Sequence, residues 1–126
     1  MTRDAIADRF FTELRGRRLM TTRCRACGSL RFPPRAWCPD CLSEDLEWVE
    51  LSGRGRLAAF STQETAIRFR APDVIGLVDL DDGVRVLSHI AGRYEDLSIG
   101  DAVSVDFVEV EPGLVLHSFM PDASSS

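Results

Sequence analysis

The chain has 126 residues, enough for one domain or a small domain with an appended module. Its formal net charge is -5, from 15 basic and 20 acidic side chains; every basic one is arginine, and lysine and asparagine are absent. With 44% hydrophobic and 28% charged residues the composition excludes a disordered chain, and the longest aliphatic run, Val74–Val78, is far short of the roughly 20 residues of a membrane span.

Residues 1–16 predict an amphipathic helix over Ala5–Arg15. Ile6, Phe10 and Leu14 recur at helical spacing with Phe11 beside them, so one face is apolar. Thr2 suits the N-cap, Asp4 the positive end of the helix dipole and Gly16 the C-terminal cap. A helix this short does not persist alone in water, so its stripe must dock on its own domain or on a partner chain. The same N-terminus lacks the apolar core of a secretory signal, and a cytoplasmic location is expected.

Residues 17–51 form a second unit. Pro33, Pro34 and Pro39 prevent a long helix, and short strand-like pieces at Leu19–Arg23 and Leu30–Phe32 flank the first cysteine pair. Leu46–Leu51 has strand alternation before the Ser52-Gly53-Arg54-Gly55 break. Residues 52–120 then change to period two. Strands are expected at Arg56–Gln63, at Val74–Leu80 and Val84–Ile90 around an Asp81-Asp82-Gly83 turn, at Ala102–Val110, and at Leu114–Phe119 after Glu111-Pro112-Gly113. Tyr94–Asp101 reads as a short helical or turning connection. The fold class is therefore mainly β, with five strands that fit an OB-fold barrel or an SH3-like one. Residues 121–126 are polar and expected to be a flexible tail.

The strongest motif is Cys24-Arg-Ala-Cys27-Gly28 followed by Cys38-Pro-Asp-Cys41. Two residues between cysteines let both sulfurs of a knuckle face one ion from a tight turn, and two knuckles complete a tetrahedron. In an intracellular chain the alternatives, two disulfides or four free thiols, are weaker. Zinc is the expected metal and iron the runner-up, because rubredoxins use the same paired knuckles. Four sulfur ligands close the coordination sphere, which makes the role structural, and leave the centre with a formal charge of about -2.

That charge bears on the uneven distribution of arginine. Residues 1–35 hold nine arginines against three acids, a net of +6, while residues 36–126 hold six against 17, a net of -11. Arg23, Arg25, Arg31 and Arg35 surround the knuckles. They either compensate the metal centre or meet a phosphate-bearing ligand or an acidic partner.

The chain resembles a family of small bacterial and archaeal proteins in which a helix and a rubredoxin-like zinc ribbon precede an OB-fold, found beside thiolases, thiolase-like acyltransferases and acyl-CoA hydratases. The matching stretches are Phe10-Phe11-x-x-Leu14 with Gly16, the two cysteine pairs with Gly28, Phe32-Pro33-Pro34-Arg35, Leu46-Glu47-Trp48, Ser52-Gly53-Arg54-Gly55, Gly76–Arg85, Leu97-x-Ile99-Gly100-x-x-Val103 and Phe119. Leu42 departs from the pattern, since the family often carries glycine after its last cysteine. The resemblance implies an OB-fold and an accessory subunit that pairs with a thiolase-fold or hydratase subunit acting on acyl-CoA, with the OB-fold near the CoA entrance. Only the four metal ligands carry over; no catalytic residue does.

An independent search for catalysis agrees. All four cysteines are assigned to metal, lysine is absent, and no nucleophile elbow or phosphate-cradling loop occurs. His89 and His117 each stand alone in a strand and read as packed or surface residues, and the Asp79, Asp81, Asp82 group reads as a solvated turn rather than a cation site. Arg54 and Arg56 at the module junction, with Arg68 and Arg70 after the first barrel strand, are candidates for CoA phosphates or a partner's acidic rim, because guanidinium groups fork onto phosphate; ordinary solvated charge explains them equally well. Nucleic-acid binding is the main rival, and the acidic barrel argues against it. A rubredoxin-like iron electron carrier is the third reading.

Overall fold

The computed structural model describes residues 2–63 and 73–122. Helix α1 spans Arg3–Arg15, and the Thr2 hydroxyl accepts from the Ala5 amide at 3.1 Å, so the cap expected from the sequence forms. At the other end the Arg17 amide donates to the Leu14 carbonyl and the Arg18 amide to the Glu13 carbonyl, the pairing of a Schellman motif. The left-handed residue of that motif is Arg17, at φ 61°, not Gly16, at φ -85°. Glycine thus stands one position too early to relieve the backbone.

The ribbon is a three-stranded antiparallel sheet ordered β2-β1-β3, from β1 (Met20–Cys24), β2 (Leu30–Arg31) and β3 (Leu46–Glu50). The second unit is a closed barrel of β4 (Arg54–Gln63), β5 (Asp73–Leu80), β6 (Arg85–Ile90), β7 (Ala102–Glu111) and β8 (Leu114–Pro121). Its order, β4-β5-β6-β8-β7 with β7 returning to β4, is the OB-fold order and removes the SH3-like alternative. Inward residues alternate as the period-two pattern predicts: Val74 and Val78 on β5, Val86 and Ile90 on β6, and Val103 on β7 are all buried. Pro121, expected in the flexible tail, is instead the last residue of β8 opposite Val103, and the Asp122 amide donates to the Ala102 carbonyl. The remaining tail residues lie outside the described ones.

Barrel closure depends on a short seam. Strands β6 and β8 run parallel with only His89–Ser118 and Ile90–Phe119 in register. Side chains add to this seam: Ser88 Oγ meets His117 Nδ1 at 2.7 Å, and Ser118 Oγ meets His89 Nδ1 at 2.9 Å. The two histidines, read from the sequence as solitary, therefore each have a serine partner on the opposite strand. No linear spacing could show this, since 29 residues separate each pair.

The two units share one core. Leu14 of the helix and Leu19 and Leu51 of the ribbon are buried in the same cluster as Leu57, Val78, Val86 and Phe119 of the barrel. The helix is thus docked on its own chain. Ile6 and Leu14 are buried, while Phe10 packs edge-on against Phe32 of the ribbon and His117 of β8, at centroid distances of 5.8 and 6.3 Å. Glu13, also buried, is held between Arg9 at 2.8 Å and Arg18 at 2.6 Å, and Arg9 lies over the Trp48 ring of β3. The hydrogen bonds from Arg9 and then Arg18 hold the Glu13 carboxyl below its ordinary pKa.

The junction between ribbon and barrel is clasped by the β5–β6 turn. Ser52 donates to the Asp82 carboxylate from both its amide, at 3.1 Å, and its hydroxyl, at 2.6 Å, and the Asp81 amide donates to the Arg54 carbonyl. Gly55 lies where β4 passes beneath this turn, and a Cβ there would collide with the Asp79 carbonyl.

Candidate metal centre

The two knuckles have matching backbones. In the first, the Gly28 amide donates to the Cys24 carbonyl and the Cys24 amide to the Ser29 carbonyl, at 2.8 and 2.9 Å. In the second, the Leu42 amide donates to the Cys38 carbonyl and the Cys38 amide to the Ser43 carbonyl, both at 2.8 Å. Residues at the same place in each turn take positive φ, 77° at Gly28 and 64° at Leu42. Leu42 therefore adopts the conformation that glycine adopts in the first knuckle, with its side chain 72% exposed. The departure at Leu42 changes the strain of the turn and leaves its geometry intact.

These turns bring all four cysteine sulfurs within 4.8 Å of one another. Cys24 and Cys41 approach to 3.6 Å, and Cys27 and Cys38 to 3.5 Å. A tetrahedron with bonds of about 2.3 Å has edges of about 3.8 Å, so the cluster fits a four-thiolate zinc ion. Cys24 and Cys38 are buried; Cys27 and Cys41 are exposed. The Asp40 amide donates to Cys38 Sγ at 3.4 Å.

Each of Cys24, Cys27 and Cys41 accepts a backbone amide bond that favours the thiolate, and the neighbouring sulfurs set them apart. Hydrogen bonds led by that from the Cys27 backbone lower the Cys24 thiol to about 7. At Cys27 the Ser29 amide pulls downward, but the Cys38 thiol and burial outweigh it and push the group up to about 12; Cys41 is raised in the same way. A cation would favour the thiolate form of its sulfur ligands.

The ribbon arginines meet their own unit's acids. Arg31 bonds Asp40 at 2.7 Å, Arg25 reaches Asp45 at 3.5 Å and Glu47 at 3.7 Å, and Arg23 reaches Glu47 at 3.5 Å. Much of the basic surplus around the knuckles is thus matched locally. Arg31, followed by Ser29, lowers the Asp40 carboxyl.

The other candidates lie apart from this centre. Arg54 and Arg56 are exposed on β4, and Arg56 donates to the Gly100 carbonyl at 3.1 Å; Arg68 and Arg70 fall outside the described residues. Asp79 pairs with Arg85 at 2.6 Å and Asp82 clasps Ser52, so the acidic turn has structural employment rather than a shared focus. Sequence reasoning missed the clasp of Asp82 on Ser52 and the serine–histidine pairs, which join residues 30 and 29 apart. It also missed Glu13, whose partners Arg9 and Arg18 lie only four and five residues away and whose helical spacing to Arg9 was a usable signal. Among the described residues, no helix is long and apolar enough to cross a membrane.

Comparison with known proteins agrees with this architecture. Residues 11–47 match the model of the ChsH2 rubredoxin-like zinc ribbon domain, and residues 48–108 that of the ChsH2 C-terminal OB-fold domain. A probable enoyl-CoA hydratase alpha subunit of Thermomonospora curvata is 36% identical over 115 residues, covering 89% of this chain but 36% of that protein. A DUF35 domain-containing scaffold protein of Methanothermobacter thermautotrophicus is 36% identical over 80% of this chain and 83% of its own length. The benzoylsuccinyl-CoA thiolase subunit BbsA of Thauera aromatica is 33% identical over 66% of this chain and 58% of its own. The solved structure of an Ltp2-ChsH2(DUF35) aldolase superposes with a TM-score of 0.83 at 34% identity, covering 90% of this chain and 92% of that one.

Proposed function

Because the chain belongs to the DUF35 family of ChsH2-type zinc ribbon and OB-fold proteins, we propose that it is a non-catalytic accessory subunit of a thiolase-fold or hydratase enzyme acting on acyl-CoA thioesters. Cys24, Cys27, Cys38 and Cys41 hold one structural metal, zinc in preference to iron. The ion's contribution is to fix the two knuckles against each other. With all four positions taken by sulfur it has no place for substrate, and the reaction belongs to the partner.

The observation that carries the reading is the near-complete superposition on a chain from an Ltp2-ChsH2(DUF35) aldolase, joined to a four-cysteine site that leaves no metal position for substrate. The relatives named as hydratase and thiolase subunits point to the same partner class. The surface supports it as well. The apolar face of α1 is used internally, whereas the outside of the barrel offers an apolar groove of about 250 Å³ lined by Ala59, Phe60, Ile75, Leu77 and Leu87. Arg54 and Arg56, with Arg68 and Arg70, are the groups suited to CoA phosphates or to the partner's acidic rim. The subunit acts in the cytoplasm, where acyl-CoA substrates are handled.

The test is co-expression with an untagged thiolase-fold or hydratase protein of the same organism. A stable hetero-oligomer whose acyl-CoA activity exceeds that of the partner alone is expected. Failure to co-purify, with partner activity unchanged by added subunit, would refute the proposal. Zinc in stoichiometric amount and a colourless protein are expected from metal analysis; stoichiometric iron would favour the electron-carrier reading.

A further inference from the structure

All four sulfurs lie within 4.8 Å of one another, and close contacts cross from one knuckle to the other. Contacts of 3.5 and 3.6 Å join Cys27 to Cys38 and Cys41 to Cys24, each running from one knuckle to the other. In each pair one cysteine is exposed and the other buried. Each knuckle turn meanwhile carries two backbone hydrogen bonds of its own. We propose that the metal centre is also an oxidative modification site, at which a peroxide converts the ribbon to a metal-free form closed by two disulfides, Cys24–Cys41 and Cys27–Cys38.

The chemistry balances in two equal halves. The exposed sulfur of Cys27 or Cys41 attacks one peroxide oxygen, the O–O bond breaks, and a sulfenic acid and hydroxide result. The buried sulfur across the cluster then attacks that sulfenic sulfur; the S–O bond breaks and, with proton uptake, water leaves as the disulfide forms. Each disulfide consumes one peroxide and two electrons from two sulfurs. Two peroxides and four protons therefore yield two disulfides, four waters and one released zinc ion.

The connectivity decides what oxidation does to the ribbon. Disulfides within a knuckle would join residues three apart, leaving no covalent link between the two knuckles once the metal departs, only contacts such as Arg31–Asp40. Cross-knuckle disulfides close loops of 17 and 11 residues, so the sheet keeps its clasp through covalent bonds. Oxidation would then exchange one staple for another and leave the barrel and helix in place.

The experiment uses the full-length zinc-loaded protein, titrated with hydrogen peroxide. Zinc release is followed with a chromogenic chelator, fold by far-ultraviolet circular dichroism, and connectivity by mass spectrometry of peptides digested without reduction. One zinc released per two peroxides, a retained spectrum, cross-knuckle peptides, and restoration by dithiothreitol with zinc are expected. Cys24–Cys27 and Cys38–Cys41 peptides would overturn the proposal. So would sulfinic acids without disulfides, or zinc release only together with loss of the spectrum.

Discussion

Replacing His117 with phenylalanine isolates the cost of burying an imidazole where helix, ribbon and barrel meet. Phe10, Phe32 and Phe119 surround this side chain, and Ser88 Oγ is its hydrogen-bonded neighbour. Burial lowers its pKa from an ordinary 6.5 to about 4. The folded value lies below the unfolded one, so between those limits the unfolded chain binds the extra proton. The neutral imidazole therefore costs nothing above pH 6.5, and stability is lost as the pH falls toward 4. Linkage with these two values gives a loss of about 2 kcal/mol between pH 7 and pH 5. Phenylalanine keeps the aromatic contacts, and the Ser88 hydroxyl retains its bond to the backbone carbonyl of residue 117, at 3.2 Å. The variant should be less stable by about 1 kcal/mol at pH 7, for the lost side-chain bond, and more stable than the parent by about 1 kcal/mol at pH 5. Urea unfolding of both zinc-loaded proteins at pH 5, 6, 7 and 8 measures the difference, in which acid effects common to both cancel. A difference that stays constant from pH 5 to pH 8 would refute the burial argument.

Leu42→Gly should raise stability by about 1 kcal/mol in chemical denaturation, because glycine accepts φ 64° without Cβ strain; Arg17→Gly, at φ 61°, should act in the same direction. Asp82→Ala removes the acceptor of two Ser52 donors and should cost about 1–3 kcal/mol, read by the same melts, without changing bound zinc. Zinc affinity should rise with pH, because ions displace protons held on Cys27 and Cys41; competition with a chelator at pH 6.5, 7.5 and 8.5 would show it. Charge reversal at Arg68 and Arg70 should weaken acyl-CoA or partner binding, measured by calorimetry on the assembled complex; unchanged affinity for both would remove these residues from the CoA reading.

What the sequence made legible was whatever local spacing carries. The cysteine pairs give both knuckles at once, because a two-residue gap and a tight turn are properties of four or five consecutive residues. Strand alternation likewise gives the barrel, and the Asp82-Gly83 turn gives its central hairpin. Other features depend on which strands become neighbours. Choosing an OB-fold over an SH3-like barrel requires β8 to lie beside β6, and that parallel contact rests on two residue pairs. The serine–histidine pairs inherit this dependence. Helix docking shows the same limit: the stripe of Ile6, Phe10 and Leu14 announces burial but not its partner, which is split among Phe32, His117 and the shared core. Arg17 was hidden for another reason, and Leu42 showed only as a departure from the family's glycine. Each occupies a conformation that residue identity argues against, tolerated because the surrounding hydrogen bonds fix the turn.

The contact between α1 and β8 sets an order on the making of the molecule. About 100 residues separate Arg3–Arg15 from Leu114–Pro121. At roughly 5–20 residues per second, a ribosome needs on the order of 5–20 seconds to deliver the strand after the helix has emerged. The ribbon has no such delay in sequence: its sheet is complete at Glu50. For that interval Phe10 lacks its His117 neighbour on β8, whereas Phe32, its aromatic neighbour in the ribbon, has already been made.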